Sequence, residues 1–152
     1  MLMTSTTNWP AVVLLLVLGV SACSQVTPAS TSSEADIEVG GEPLTVWVAD
    51  EPIERQQGLM GLDRLPPGID GMLFVYESER STTFSMFNTP MTLDIWWFDS
   101  DGVLVGSAEM EPCFAKPCTS YRSAGPIESV LETPQGMYDF RPGIGLSTID
   151  SS

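Results

Sequence analysis

An amide, Asn88, and a carboxylate, Asp94, lie inside FSMFNTPMTLDIWWFD, residues 84–99, which is the most apolar stretch of the chain outside the N-terminus. A lone buried carboxylate is costly unless it is paired or hydrogen-bonded, so Asp94 requires partners such as backbone amides, Asn88 or Arg55. One interpretation is a structural polar network that joins Asn88 to Asp94 at the start of a strand. The other is a ligand-binding cleft beside Trp96, with Asn88, Asp94 and Arg55 as polar contacts.

Asp94 also permits a second chemistry, which is hydrolysis by paired carboxyl groups. Glycoside hydrolases place two carboxyl groups roughly 5–10 Å apart across the bond that they cleave. Glu109 and Glu111 are candidate partners for Asp94, although the sequence does not give their separation. A carboxylate-dependent hydrolase or carbohydrate-active enzyme with a cleft near Asp94 is therefore the alternative to a non-catalytic binding domain.

The chain contains no histidine, which excludes Ser-His and Cys-His nucleophile arrangements within it. The segment Asp99 to Gly102 resembles the start of a calcium loop, but the bidentate glutamate expected further on is missing, and a hairpin turn is predicted instead. The methionines are scattered and are expected to fill the core rather than to bind copper. We therefore assign no catalytic residue and expect no metal site and no cofactor.

The N-terminal residues 1–22 are predicted to be a signal peptide of the lipoprotein type. The ten apolar residues AVVLLLVLGV, at 11–20, are fewer than the ~20 that a membrane span needs, and they suit the apolar region of an export signal. The sequence VSAC that follows resembles a bacterial lipobox, in which the cysteine, here Cys23, is acylated. We expect an exported protein anchored in the cell envelope through Cys23, with residues 23–41 as anchor site and flexible tether.

Cys113 and Cys118 are the two cysteines that remain when Cys23 carries a lipid. An exported protein meets an oxidising compartment, so we predict that they form a disulfide that fixes an irregular loop. A redox-active pair is the alternative, although the spacing is not that of a C-x-x-C motif.

The chain is strongly acidic, with twenty Asp and Glu against six Lys and Arg and a net charge of −14. Such a field repels phosphate backbones, so we expect no nucleic-acid partner. A solvated acidic surface and adaptation to high salt both account for this composition. The expected ligand is a small molecule or a glycan, and nothing in the sequence indicates the oligomeric state.

Short alternations of apolar and polar residues, separated by turn residues, predict a single domain over residues 42–150. Asp50 to Gly58 is predicted as a short helix, with Asp50 as its N-cap and Gly58 as its stop. The fold class is a mainly-β sandwich or small barrel. The predicted strands cover residues 43–49, 71–76, 81–87, 91–99, 103–110, 127–132 and 145–149.

The order of five motifs resembles the domain of unknown function 192 (DUF192) family. The motifs are RQQGLM at 55–60, GMLF at 71–74, FSMFNTPMTLD at 84–94, DSDG at 99–102 and PCFAKPC at 112–118. The family often has an aromatic residue where Ser85 stands and a lysine where Phe87 stands. The resemblance covers about residues 42–150 and implies a compact β fold similar to a jelly roll. Members of the family are often exported, and the resemblance implies no established activity.

These observations predict an uncharacterised, membrane-anchored domain of the cell envelope that binds a ligand or assists another protein without catalysis. The alternatives are the hydrolase described above and a purely structural envelope protein without a cleft. A deep cleft with two carboxyl groups of displaced pKa favours the hydrolase, whereas an Asp94 satisfied by backbone favours the binding domain.

Overall fold

The computed structural model describes residues 32–149. The predicted signal peptide and Cys23 lie outside the described residues. No helix within 32–149 has the length and apolar character needed to cross a membrane. The described part contains one α-helix and seven strands: β1 (Ser33–Val39), β2 (Glu42–Ala49), α1 (Pro52–Gln57), β3 (Gly71–Arg80), β4 (Leu93–Phe98), β5 (Leu104–Met110), β6 (Ile127–Pro134) and β7 (Leu146–Thr148).

The seven strands form one sheet in the order β5-β4-β6-β3-β2-β1-β7, which curls into a half-barrel. Neighbouring strands are antiparallel except β2 and β3, which are parallel. A parallel pair cannot be joined by a tight turn, and residues 50–70 provide the crossover, with α1 at its beginning. The prediction of a mainly-β fold with one short helix near residues 50–58 is confirmed.

The curl of the sheet brings its two edge strands towards each other. Leu104, the first residue of β5, donates a backbone hydrogen bond of 2.8 Å to the carbonyl of Ile144, just before β7. Leu146 donates another of 2.8 Å to the carbonyl of Gly102. These bonds tie the first part of β5 to the segment that leads into β7.

Apolar side chains pack on both faces of the sheet. The inner cluster, inside the curl, joins strands that are distant in the sheet, because Ile37 of β1, Phe98 of β4 and Leu104 of β5 all belong to it. The outer cluster lies on the opposite face and is covered by the loops around Leu59 and Phe84. β4 alternates between the two and is buried along its whole length, which explains its unbroken apolar sequence.

Helix α1 follows the sequence closely, with one correction at its start. Its N-cap is Glu51 rather than Asp50, because Glu51 and Glu54 form a reciprocal capping box. The predicted stop is confirmed at Gly58, whose φ of 48° belongs to the left-handed region that favours glycine.

Two further predictions differ from the structure. Residues 33–39, expected to belong to the flexible tether, form β1, because Ile37 and Val39 are buried and the backbone pairs with both β2 and β7. Residues 81–87, expected to be a strand, form only isolated bridges from Phe84 to Tyr121 and from Phe87 to Cys113. Tertiary packing, rather than local alternation, decided both segments.

Candidate functional site

A cleft of about 410 Å³ opens on the outer face of the sheet. Helix α1 and the residues after it form one wall, and residues 82–87 form the other. Lys116 reaches it from the loop between β5 and β6, and side chains of β3 and β6 line it from the sheet. We call it the Glu132 cleft, after the one acidic side chain among its lining residues.

Glu132 is a buried carboxyl group on the face of β6 that carries the outer cluster. It is 6% exposed, and Met72 of β3 and Ile95 of β4 lie opposite it in register. No hydrogen bond or ion pair to its carboxyl group is found within residues 32–149. Burial among apolar neighbours raises the pKa of Glu132 to about 8, so the group carries its proton at neutral pH. Glu132 is therefore a neutral donor that faces the cleft without a described protein partner.

Gly71 allows β3 to approach the backbone of Glu132 closely. A Cβ atom at this position would lie 2.3 Å from the carbonyl oxygen of Glu132, a distance that no real side chain tolerates. Gly71 is therefore required for the pairing that places β3 and β6 side by side beneath the cleft.

Tyr76 of β3 lies between two cationic side chains. The guanidinium carbons of Arg55 and Arg80 are each 5.0 Å from the centre of its ring. Burial raises the pKa of Tyr76, while a hydrogen bond from Thr82 and the two arginine charges act in the opposite direction. The phenol is consequently neutral at physiological pH.

Arg55 is held in a defined position at the edge of the cleft. Its Nη1 donates hydrogen bonds to the backbone carbonyl of Asp50 and, at 2.9 Å, to that of Val75. The guanidinium group thus connects the beginning of α1 to β3. Because neutral carbonyls rather than carboxylates accept these bonds, the positive charge of Arg55 is not cancelled by them.

The predicted disulfide between Cys113 and Cys118 is present, with an S–S distance of 2.05 Å. It closes the short loop that carries Lys116. The Nζ atom of Lys116 lies 4.7 Å from the centre of the Phe87 ring, so this loop provides a cation beside Phe87.

Asp94 is buried, at 7% exposed, and is satisfied by backbone. Its Oδ2 accepts a 2.8 Å hydrogen bond from the amide of Gly136, in the turn after β6. Trp96 belongs to the inner cluster, where its Nε1 donates to the hydroxyl of Thr133 and its ring contacts Phe140 edge-on. Neither Asp94 nor Trp96 lines the Glu132 cleft.

Asn88 is exposed and is bound through its backbone. Its amide donates to the carbonyl of Cys113 at 2.9 Å, and its carbonyl accepts from the amide of Gly61 at 2.8 Å. Its φ of 57° makes it the turn residue between the cleft wall and β4. No described hydrogen bond joins Asn88 to Asp94, so the expected common network is wrong. Arg55 is not a partner of Asp94 either. It lines the Glu132 cleft, and it is the only one of the four predicted contacts that does so.

Three residues of the cleft were not predicted from the sequence: Glu132, Tyr76 and Lys116. For Glu132 a signal existed, since it follows Val130 and Leu131 inside an apolar strand and raises the same question as Asp94. Lys116 gave no such signal, because its approach to the cleft depends on how the disulfide loop folds back.

The arrangement suits binding through hydrogen bonds and charge. The cleft offers a neutral carboxylic acid, two cations and an apolar lining from both walls. No group of three His, Cys, Asp or Glu side chains within residues 32–149 is placed to hold a metal ion.

Comparison with known proteins identifies the family but not an activity. A family model described as uncharacterized ACR, DUF192, matches residues 35–144. No curated protein matches the sequence. The chain is similar to the crystal structure of a putative transcription regulator from Sinorhizobium meliloti 1021, with 28% identity and a TM-score of 0.69, over 77% of this chain and 95% of that one.

It is also similar to a protein of unknown function from Novosphingobium aromaticivorans DSM 12444, with 27% identity and a TM-score of 0.69. That match covers 80% of this chain and 90% of the other. The family model spans nearly all described residues. The chain belongs to the DUF192 family.

Proposed function

We propose that this protein is a non-catalytic binding module of the cell envelope, exported and held at the membrane by a lipid on Cys23, and that its ligand occupies the Glu132 cleft. The observation that carries the binding role is the Glu132 carboxyl group, which is buried without a described protein partner and faces the cleft. The apolar segment and the VSAC sequence before Cys23 support the location.

Burial of a polar group without a hydrogen-bond partner has an energetic cost. A carboxyl group removed from water without a hydrogen-bond partner costs ~1–3 kcal/mol even in its neutral form. Glu132 faces the open cleft, so a ligand that excludes water from the cleft avoids this cost only when it hydrogen-bonds to Glu132. Convergent polar groups in a concave, partly apolar site are the usual arrangement of a small-molecule pocket.

Hydrolysis is the second candidate, and the raised pKa of Glu132 is the observation in its favour. A carboxyl group that keeps its proton at neutral pH is suited to general-acid chemistry. Glycoside hydrolysis, however, requires a second carboxyl group across the scissile bond. Glu132 is the only acidic residue among those that line the cleft, and Asp94 lies elsewhere. Binding is therefore the better supported function.

One structural relative is described as a putative transcription regulator, but we do not propose that this chain binds DNA. A DNA-binding surface needs an excess of Lys and Arg side chains to displace counterions from phosphates. This chain has six such residues against twenty acidic ones. Recognition of a small effector, rather than of DNA, is the property that the cleft supports.

The test is a thermal-shift screen of the full chain in mild detergent against envelope sugars, peptidoglycan fragments and small metabolites. Hits are repeated with Thr83→Trp, which fills the cleft from its wall, and with Ser107→Trp, which places the same bulk on exposed β5. A cleft ligand stabilises the wild type and Ser107→Trp but not Thr83→Trp. The proposal fails when no compound gives a shift that depends on Thr83.

A further inference from the structure

The basic residues of this acidic protein are concentrated around the Glu132 cleft. Arg55 and Lys116 line it, and Arg80 stacks on Tyr76, which also lines it. The guanidinium group of Arg122 donates to the hydroxyl of Thr83 on the cleft wall. Four of the six basic side chains thus surround one cleft in a chain of net charge −14.

These cations are not neutralised by ion pairs with nearby acids. The one ion pair in the described part of the chain joins Arg141 to Asp139, away from the cleft. Arg55 donates to backbone carbonyls, and Lys116 lies over the ring of Phe87. At neutral pH the only lining acid, Glu132, is protonated, so the charge presented to the cleft is positive.

About half of the remaining lining residues are apolar, and the others, such as Gln56, Thr82 and Ser85, are polar. Leu59 and Met60 follow α1 on one wall, Phe84 and Met86 lie on the other, and Phe74 contributes from β3. Such a surface gains free energy, roughly 25 cal/mol per Å², when it covers an apolar ligand body. Positive charge at the rim and apolar side chains below it require a ligand that is itself divided between an anionic head and an apolar body.

We propose that the Glu132 cleft binds a small organic carboxylate with an apolar body, whose carboxylate is received by Arg55 and Lys116 and whose body packs against Leu59, Phe74 and Phe84. This assignment rests on the proposed binding function and gives it a ligand class. Glu132 contributes a hydrogen bond from its neutral carboxyl group, either to the carboxylate or to another acceptor on the ligand.

This assignment fixes the direction in which pH changes the affinity. The other charged or titratable side chains that line the cleft are Arg55 of α1, Tyr76 of β3 and Lys116 of the disulfide loop, while β4 contributes apolar neighbours to Glu132. The raised pKa of Tyr76, caused mainly by burial, keeps its phenol neutral between about pH 7 and pH 9. Ionisation of Glu132 then removes a donor and places a negative charge beside the anion, so binding weakens. A cationic ligand would instead bind more tightly as Glu132 ionises.

The experiment uses three probes that share a phenyl ring and differ in the charge of the head group: phenylacetate, 2-phenylethanol and 2-phenylethylammonium. Affinities of the full chain in non-ionic detergent are measured by calorimetry at constant ionic strength. We expect phenylacetate to bind at least ~10-fold more tightly than either other probe, which corresponds to ~1.4 kcal/mol. With a pKa of about 8, the neutral fraction of Glu132 falls ~10-fold between about pH 7 and about pH 9, and the affinity for phenylacetate should fall with it.

Single substitutions test whether the charge of a side chain, rather than a change in the fold, determines the affinity for each probe. Lys116→Gln changes an exposed side chain and should weaken phenylacetate binding several-fold without changing that of 2-phenylethanol, whereas Arg64→Gln, an exposed arginine outside the cleft, changes neither. Glu132→Gln should abolish the pH dependence while retaining binding at about pH 7.

Three results overturn the inference: tighter binding of the ammonium probe, equal binding of phenylacetate and 2-phenylethanol, or no heat from any probe. The first two leave the proposed binding function intact, because a ligand still occupies the cleft. The third removes the ligand class, and the binding function then falls only if the wider thermal-shift screen also yields no compound sensitive to Thr83→Trp.

Discussion

Replacement of Glu132 by glutamine should stabilise the protein at neutral and alkaline pH but not in acid. The carboxyl group ionises at about 8 in the folded protein and near 4.5 when it is exposed to water. Between these values the folded chain retains a proton that the unfolded chain has lost. The wild type therefore loses stability as the pH rises through this interval, and glutamine, which is neutral and similar in shape, does not.

The magnitude follows from the two pKa values. Each pH unit corresponds to about 1.4 kcal/mol, so the advantage of Glu132→Gln should grow to about 3 kcal/mol at neutral pH and about 5 kcal/mol above pH 8. Below about pH 4.5 the group is protonated in both states, and the two proteins should differ little.

Urea melts at several pH values between about 4.5 and 9 measure this difference directly. Comparison with the wild type at each pH cancels the repulsion among the other acidic side chains, which also changes with pH. Glu38→Gln, which alters an exposed acid on β1, serves as the control and should give a difference near zero throughout. A difference between Glu132→Gln and the wild type that stays constant with pH would refute the buried, uncompensated carboxyl group.

Three further predictions concern residues outside the cleft. Asp94→Ala should lower the free energy of unfolding by ~1–3 kcal/mol in urea melts, because the amide of Gly136 loses its acceptor; Asp94→Asn should recover part of this loss, and full stability of the alanine variant would contradict the assignment. Replacing both Cys113 and Cys118 by alanine should lower the free energy of unfolding by roughly 2 kcal/mol, because the disulfide closes only a short loop. Equal urea melts of the reduced and oxidised wild type would argue against a stabilising disulfide. Metabolic labelling with a palmitate analogue should mark the wild type and not Cys23→Ser, and label retained by the variant would disprove the anchor.

The local patterns were sufficient for most of the fold. Alternation predicted β2 and the strand that contains Asp94, and the sequence from Asp50 to Gly58 predicted α1 within two residues at its start. The strand β1 escaped detection because SEADIEV offers only two buried residues, Ile37 and Val39, and follows a Ser- and Thr-rich segment. Its pairing partners, β2 and β7, come from later in the chain and supply what the local sequence lacks.

The candidate site was harder to predict because its residues come from five separate parts of the chain. Asp94 was correctly expected to need a partner, and the backbone of Gly136 provides it, but that partner lies 42 residues away. The parallel pairing of β2 with β3 places α1 beside the outer face, and the disulfide loop returns Lys116 to the same place. Local periodicity contains no information on either return, so Arg55 was a candidate partner of Asp94 although it lines the Glu132 cleft.

The approach of the sheet's two edges affects whether copies of this protein aggregate at high concentration. An uncovered edge strand presents unpaired amides and carbonyls that can template pairing with a second chain and start aggregation. Here the first residue of β5 is already bonded to the segment before β7, and the last strand is only three residues long. The open remainder of β5 carries Glu109, an exposed charge. Both edges are therefore poor templates, and the fold resists intermolecular strand addition through its own geometry.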